Sequence, residues 1–197
     1  MSNKPIGVLL AAGQSRRFGS NKLLYPLIDN TPMLLLCAEK LGRAVPDSMV
    51  VINRELIHLS KQLEQLGLQV IVNDQSEQGM GSSIACAVRA SESLYPDAAG
   101  WLILLADMPY IETRTIEQLY KQLEQGADLV APVYRQQRGH PVGFSRNYKN
   151  DLLALNQDTG ARDILKKYHG SLRLLPLEDE GILIDIDRPA DIPACTD

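Results

Sequence analysis

The stretch LLAAGQSRRFGSNK, residues 9–22, places Arg16, Arg17 and Lys22 just past an apolar run, with no acidic residue between Met1 and Pro26. A turn at Gly13 frees backbone amides that can hold an anion, and the full charges of Arg17 and Lys22 add to them. Arginine clamps phosphate oxygens through two N–H groups, whereas lysine acts as a point charge. Carboxylates stand elsewhere. Asp107 follows the run GWLILLA in LADMP, and Asp185 and Asp187 lie in ILIDID. Oxygen donors of this kind suit Mg²⁺. Alternation along a strand turns Asp185 and Asp187 to one face, and Asp187, nearer the strand end, is the better partner for Asp107. Taken singly, each aspartate reads equally well as a turn or helix cap. Taken with the basic turn, they point to a polyphosphate held with a divalent cation.

Two familiar phosphate motifs are absent. A Walker A loop needs four residues between its glycines and a Gly-Lys pair, whereas five residues separate Gly13 from Gly19 and no such pair occurs. The dinucleotide pattern GxGxxG is missing as well. A basic surface loop after a buried strand is the plain alternative. In QGMGSSI, residues 78–84, Gly79 and Gly81 flank Met80 ahead of a helix and allow close approach to a base or ribose. Ser82 or Ser83 then caps that helix, and a capped helix start without ligand is the alternative reading. Asn53 and Asp74 both follow strands, where such residues commonly form turns. His140 lies in RGHPV, while His58 and His169 have no chemical context and read as surface residues.

These groups need a scaffold. Apolar, β-branched runs recur at 6–12, 48–53, 68–73, 100–106, 127–133 and 182–187. Most are continuous, as in strands covered on both faces. Between them, Leu56, Leu59, Leu63 and Leu66, then Ile84, Val88 and Ser91, then Ile116, Leu119 and Leu123 mark helical faces, and 33–44 is apolar almost all round. Alternating strands and helices imply a three-layer α/β sandwich with a mostly parallel sheet. Ligands of such sheets bind beyond the carboxyl ends of the strands, where the 9–22 turn would lie. After about residue 134 the rhythm breaks. A short strand at 141–145, helices near 147–155 and 159–168 and a strand-like SLRLLPL suggest that 134–180 leaves the sheet as a flap before ILIDID returns to the core.

Bulk numbers narrow the class. A chain of 197 residues suits one domain. A net charge of −4 argues against nucleic-acid or anionic-membrane binding, so attraction for an anion must be local. Cys37, Cys86 and Cys195 are odd in number and lack CxxC spacing, which reads as reduced thiols in a cytoplasmic protein. No signal peptide is expected, and no apolar run approaches the ~18 residues of a membrane span.

The segment LAAGxSxRxGxxK, Leu10 to Lys22, resembles the signature of the MobA-like nucleotidyltransferases, and within them the molybdenum cofactor cytidylyltransferase (MocA-like) branch. The resemblance covers nearly the whole chain, through NR (53–54), QGMGSSI (78–84), LADMP (105–109), RGHPVGF (138–144) with DTGAR (158–162), and IDIDRPAD (184–191). It implies a Rossmann-like sheet of the nucleotide-diphospho-sugar transferase type. It implies transfer of CMP from CTP to molybdenum-molybdopterin, with Mg²⁺ on Asp107 and Asp187 and with Arg17, Lys22 and Asp107 as catalytic groups. The backbone of Leu10, Ala11, Ala12 and Gly13, together with Gly79, Met80, Gly81 and Ser82, would hold the nucleobase, with Asn53 and Asp74 at nucleotide-contacting positions. Guanylyltransferases of the family typically read LAGG, so Ala12 implies cytosine over guanine. His140 and Pro141, in RGHPV, resemble the GHP motif of the cytidylyltransferase branch and imply acceptor contact, with Arg138 beside them. Two departures stand out: Arg188 where the family has Thr, and Gln157 where it has Gly before Asp158. A molybdenum hydroxylase is an implied transient partner. A guanylyltransferase, a sugar- or small-phosphate transferase on the same scaffold, and a cofactor carrier that turns over no nucleotide are the competing readings.

Overall fold

The computed structural model describes residues 3–13, 18, 21–156 and 160–192. Its strands are β1 (Ile6–Ala11), β2 (Ser48–Ile52), β3 (Leu68–Val72), β4 (Gly100–Leu105), β5 (Leu129–Tyr134), β6 (Gln137–Arg138), β7 (Val142–Ser145) and β8 (Leu172–Pro176). They form one sheet in the order β3-β2-β1-β4-β7-β5-β6, with β8 also paired to β5. β1 pairs in parallel with both β2 and β4, β2 with β3, and β5 with β8, while β7 runs antiparallel between β4 and β5.

Side-chain alternation divides the core into two layers. From β1, Leu9 and Ala11 pack with α1 (Met33–Ala44), α2 (Ser60–Gln65) and α4 (Thr113–Glu124) on one face. Ile6, Val8 and Leu10 pack with α3 (Met80–Leu94), α5 (Lys149–Leu153) and α6 (Arg162–Lys167) on the other. This is the expected three-layer α/β sandwich. Because β1 has β2 on one side and β4 on the other, the strand order reverses between β1 and β4. The crevice beyond their carboxyl ends is therefore where an open sheet receives its ligand.

Three local expectations need correction. ILIDID is not a strand: residues Glu180–Leu183 form a 3₁₀ turn and the chain then runs extended. Its polar backbone is satisfied by loops instead, His140 N donating to Ile182 O at 3.1 Å and Ile186 N to Asp107 O at 2.9 Å. β5 already has β7 and β8 as neighbours, so the run crosses the strand ends as a strap. Residues 134–180 do not leave the sheet, because they contribute β7 and β8 to it. The leucine-rich face at 56–66 begins as a 3₁₀ helix over Arg54–Leu59, and only Ser60–Gln65 is α-helical. Among the described residues no helix is long and apolar enough to cross a membrane.

Candidate active site

Leu10, Ala11 and Ala12 are buried at the end of β1, and Leu10 O accepts from Ala106 N at 3.0 Å, which closes the floor of the crevice. Arg16 and Arg17 lie outside the described residues, as do Asp158 and Cys195. Gly13 is exposed and does not adopt the left-handed backbone that a forced turn would need. Among the described residues a Cβ there would meet nothing within 4 Å, so the position offers open space over the strand end.

Lys22 opens a 3₁₀ turn, Lys22–Leu24, whose preceding Asn21 accepts from Leu23 N while Leu23 buries itself in the core. That anchor aims Lys22 inward. Its Nζ donates to Asp107 Oδ2 and to Asp187 Oδ1, each at 2.8 Å. The lysine side chain is 13% exposed, against 25% for Asp107 and 42% for Asp187, so it is the most buried of the three. Burial opposes its charge, but the two carboxylates outweigh that penalty and hold its pKa above the ordinary lysine value.

Side chains that bond to the backbone hold the two segments carrying the carboxylates. α1 supports the Asp107 loop, with Cys37 Sγ donating to Ala106 O at 3.4 Å and Lys40 Nζ to Pro109 O and Ile111 O at 2.6 and 2.9 Å. Asp191 Oδ2 accepts from the backbone N–H groups of Asp187 and Arg188 at 3.0 and 2.7 Å. The Pro189 that follows makes RPAD a legible capping sequence. Buried Asp179 fastens the other end of the strap, accepting from Glu112 N, Thr115 Oγ1 and Gly181 N at 3.0, 2.6 and 2.9 Å. Asp185, by contrast, is exposed.

The two carboxylates reach one cationic nitrogen, so their oxygens converge within the span of a single ion. Hard oxygen donors fit a divalent cation such as Mg²⁺. No group of three or more acidic, histidine or cysteine side chains that could hold a metal occurs among the described residues. The remaining ligands would have to be substrate oxygens and water.

The second loop is organised by a residue that sequence patterning missed. Buried Asn73 donates from Nδ2 to Ser82 Oγ and Ser83 Oγ, both at 3.1 Å, and accepts from Gln75 N at 3.0 Å. Ser82 Oγ lies 2.8 Å from Gly79 O and 2.9 Å from Gln75 O, where its hydroxyl donates. The expected serine cap is therefore absent. Gly79 itself stands at the helix start with φ 97°, a conformation that favours glycine. Gly81 is buried in the first turn. A Cβ at Gly160 would lie 2.8 Å from Met80 Sδ, so Gly160 stands against this loop. Asn53 is buried and caps the following turn by accepting from Glu55 N at 3.1 Å. Asp74 is exposed and pairs with Arg54 through Nε at 2.7 Å and Nη2 at 3.2 Å.

On the far side Arg138 is exposed on β6. Gly139 abuts the strap so closely that a Cβ would clash with Ile182 O. The His140–Pro141 peptide is cis. His140 Nδ1 is buried without a hydrogen-bond partner among the described residues. Burial pushes this imidazole's pKa down, and Arg138 adds to that, against opposing pulls from Asp107 and Asp185. His140 therefore sits in the electrostatic field of the Asp107 site. His58 and His169 are exposed, as expected. Cys37 is buried with its thiol pushed up to about 12, chiefly by desolvation, and Cys86 is half-buried. Neither is part of a disulfide.

A family model described as the MobA-like NTP transferase domain matches residues 7–172. The purine catabolism protein PucB of Bacillus subtilis is 32% identical over 196 residues, covering 93% of this chain and 92% of its own. A probable molybdenum cofactor guanylyltransferase of Thermococcus sibiricus is 25% identical over 198 residues, covering 95% of each chain. Rv0371c from Mycobacterium tuberculosis H37Rv has the same fold, with a TM-score of 0.82 at 24% identity and 95% of each chain covered. A second structure of Rv0371c, in complex with manganese, gives 0.70 at 22% identity, covering 98% of this chain and 94% of that one.

Proposed function

Because the chain belongs to the MobA-like NTP transferase domain family and is a nucleotidyltransferase, we propose that it moves CMP from CTP to the terminal phosphate of molybdenum-molybdopterin. The products are molybdopterin cytosine dinucleotide and pyrophosphate. The convergence of Lys22, Asp107 and Asp187 at the β1/β4 switch point carries the nucleotidyl-transfer reading. LAAG at 10–13 favours cytosine.

An oxygen of the acceptor phosphate attacks the α-phosphorus of CTP, the bond to the β-phosphate breaks, and pyrophosphate leaves. No protein nucleophile is required, so the protein's work is to align two polyanions and offset their charge. Lys22 and Arg17 hold the β- and γ-phosphates. Asp107 and Asp187 would hold Mg²⁺, which would supply positive charge to the reacting phosphates. The backbone of Leu10–Gly13 and of Gly79–Ser82 frames the base, with Asn53 and Asp74 beside it. Arg138, His140 and Pro141, within 134–165, receive the acceptor.

The test is pyrophosphate release by the purified protein with Mg²⁺ and isolated molybdenum cofactor, offered CTP, GTP, ATP and UTP in parallel. Release with CTP only, and only with cofactor, supports the reading. Release with GTP supports the second reading, a guanylyltransferase, which the name of the Thermococcus sibiricus relative favours. Cofactor binding without turnover of any nucleotide points to a carrier that delivers cofactor to a molybdenum hydroxylase.

A further inference from the structure

Resting on the proposed role of Asp107 and Asp187 as cation ligands, we infer that Lys22 makes cation capture by these two aspartates conditional on a bound polyphosphate. Lys22 Nζ takes one oxygen of each carboxylate, Asp107 Oδ2 and Asp187 Oδ1. Two carboxylates and one ammonium leave the trio with a single net negative charge. A divalent ion approaching it is attracted by the carboxylates and repelled by a full positive charge one hydrogen bond from both. The lysine has little room to relieve that repulsion by moving to solvent, because it is the most buried of the three side chains. No third acidic side chain among the described residues completes a cation site here.

A polyphosphate reverses the balance. Its negative charges give the ammonium a new partner, and its oxygens supply the ligands that the protein lacks. The cation is then taken as a complex with the nucleotide rather than in advance of it.

The test is Mn²⁺ binding to the full chain without nucleotide, read as free Mn²⁺ by electron paramagnetic resonance and as the Mn²⁺-induced rise in Tm. Even with the dielectric constant of water, removing a unit charge beside a divalent ion changes its affinity by roughly tenfold. Lys22→Met and Lys22→Gln are therefore expected to bind Mn²⁺ about tenfold or more tightly than the wild type. Lys22→Arg, which keeps the charge, stays as weak as the wild type, and adding Asp107→Asn to Lys22→Met abolishes the gain. In the wild type, CTP and Mn²⁺ together raise Tm by more than the sum of their separate effects. Equal or weaker Mn²⁺ binding by both neutral variants, with Asp107→Asn still removing it, overturns the inference and leaves the cation role standing. Mn²⁺ binding that is indifferent to Asp107→Asn and Asp187→Asn overturns both. Circular dichroism confirms folding, and the wild-type measurement decides the matter if neither neutral variant folds.

Discussion

The backbone N–H of Ile186 donates to the carbonyl oxygen of Asp107 at 2.9 Å. That one main-chain bond joins the end of the strap to the loop after β4 and sets the side chain of Asp187, the next residue, beside that of Asp107. Both then reach Lys22. The arrangement does not depend on a strand at 182–187, because the loops supply the partners that a sheet would have supplied.

Asp107→Ala is expected to abolish Mg²⁺-dependent pyrophosphate release while leaving the sheet intact, since the side chain is partly exposed at a strand end. Initial rates measured across a Mg²⁺ series give the answer. A variant that still responds to Mg²⁺ would remove Asp107 from the cation site.

Lys22→Ala is expected to lower kcat by roughly 10²–10³-fold, the equivalent of about 2.7–4 kcal/mol for one charged contact to a transition state. The same change leaves Asp107 and Asp187 facing each other without their shared counter-charge, so Tm falls as well. Steady-state kinetics on protein shown by circular dichroism to be folded separates the two effects. A near-normal kcat in folded variant would sink the phosphate role.

Much of this could be read in the sequence, and each failure has its own physical reason. β1 and β4 are continuous apolar runs because both their faces are covered, and Lys22 and Asp107 follow them at the switch point. Asn73 and Asp179 escaped notice because buried polar groups are recognised by their partners, and those of Asp179 lie 64 and 67 positions away as well as locally. SLRLLPL was legible as a strand, but its place beside β5 was not, because its residues stay half-exposed or exposed and its pairing is with a strand some 40 positions earlier. ILIDID misled in the opposite direction, as an apolar alternating run whose hydrogen bonds go to loops.

Asn73 and Asp74 are neighbours with opposite circumstances, and their variants should differ accordingly. Asn73→Ala leaves the hydroxyls of Ser82 and Ser83 without their amide donor and is expected to cost ~1–3 kcal/mol. It should also raise KM for the nucleotide, because the loop at 79–82 loses its tether. Asp74→Ala breaks an exposed pair with Arg54 and is expected to leave stability nearly unchanged. Urea unfolding and KM for CTP on both variants check this. An equal loss of stability in the two would contradict the tether.

His140 gives a pH dependence whose direction follows from burial. Its folded-state pKa lies below the ordinary 6.5, chiefly through desolvation. Above that ordinary value neither the folded nor the unfolded chain carries the proton, and the imidazole costs nothing. As pH falls below it, the unfolded chain takes up a proton that the folded chain refuses, so stability declines. The decline ends once pH has passed the lowered folded value, where both states are protonated. His140→Asn lacks this term. The expected result is that the difference in unfolding free energy between about pH 7.5 and about pH 5.5 is smaller in His140→Asn than in the wild type. Urea denaturation of both proteins at the two pH values measures it, and the background from carboxylates cancels in the comparison. Identical pH slopes would mean that His140 protonates as readily folded as unfolded, and its buried, unpartnered Nδ1 would then need another explanation.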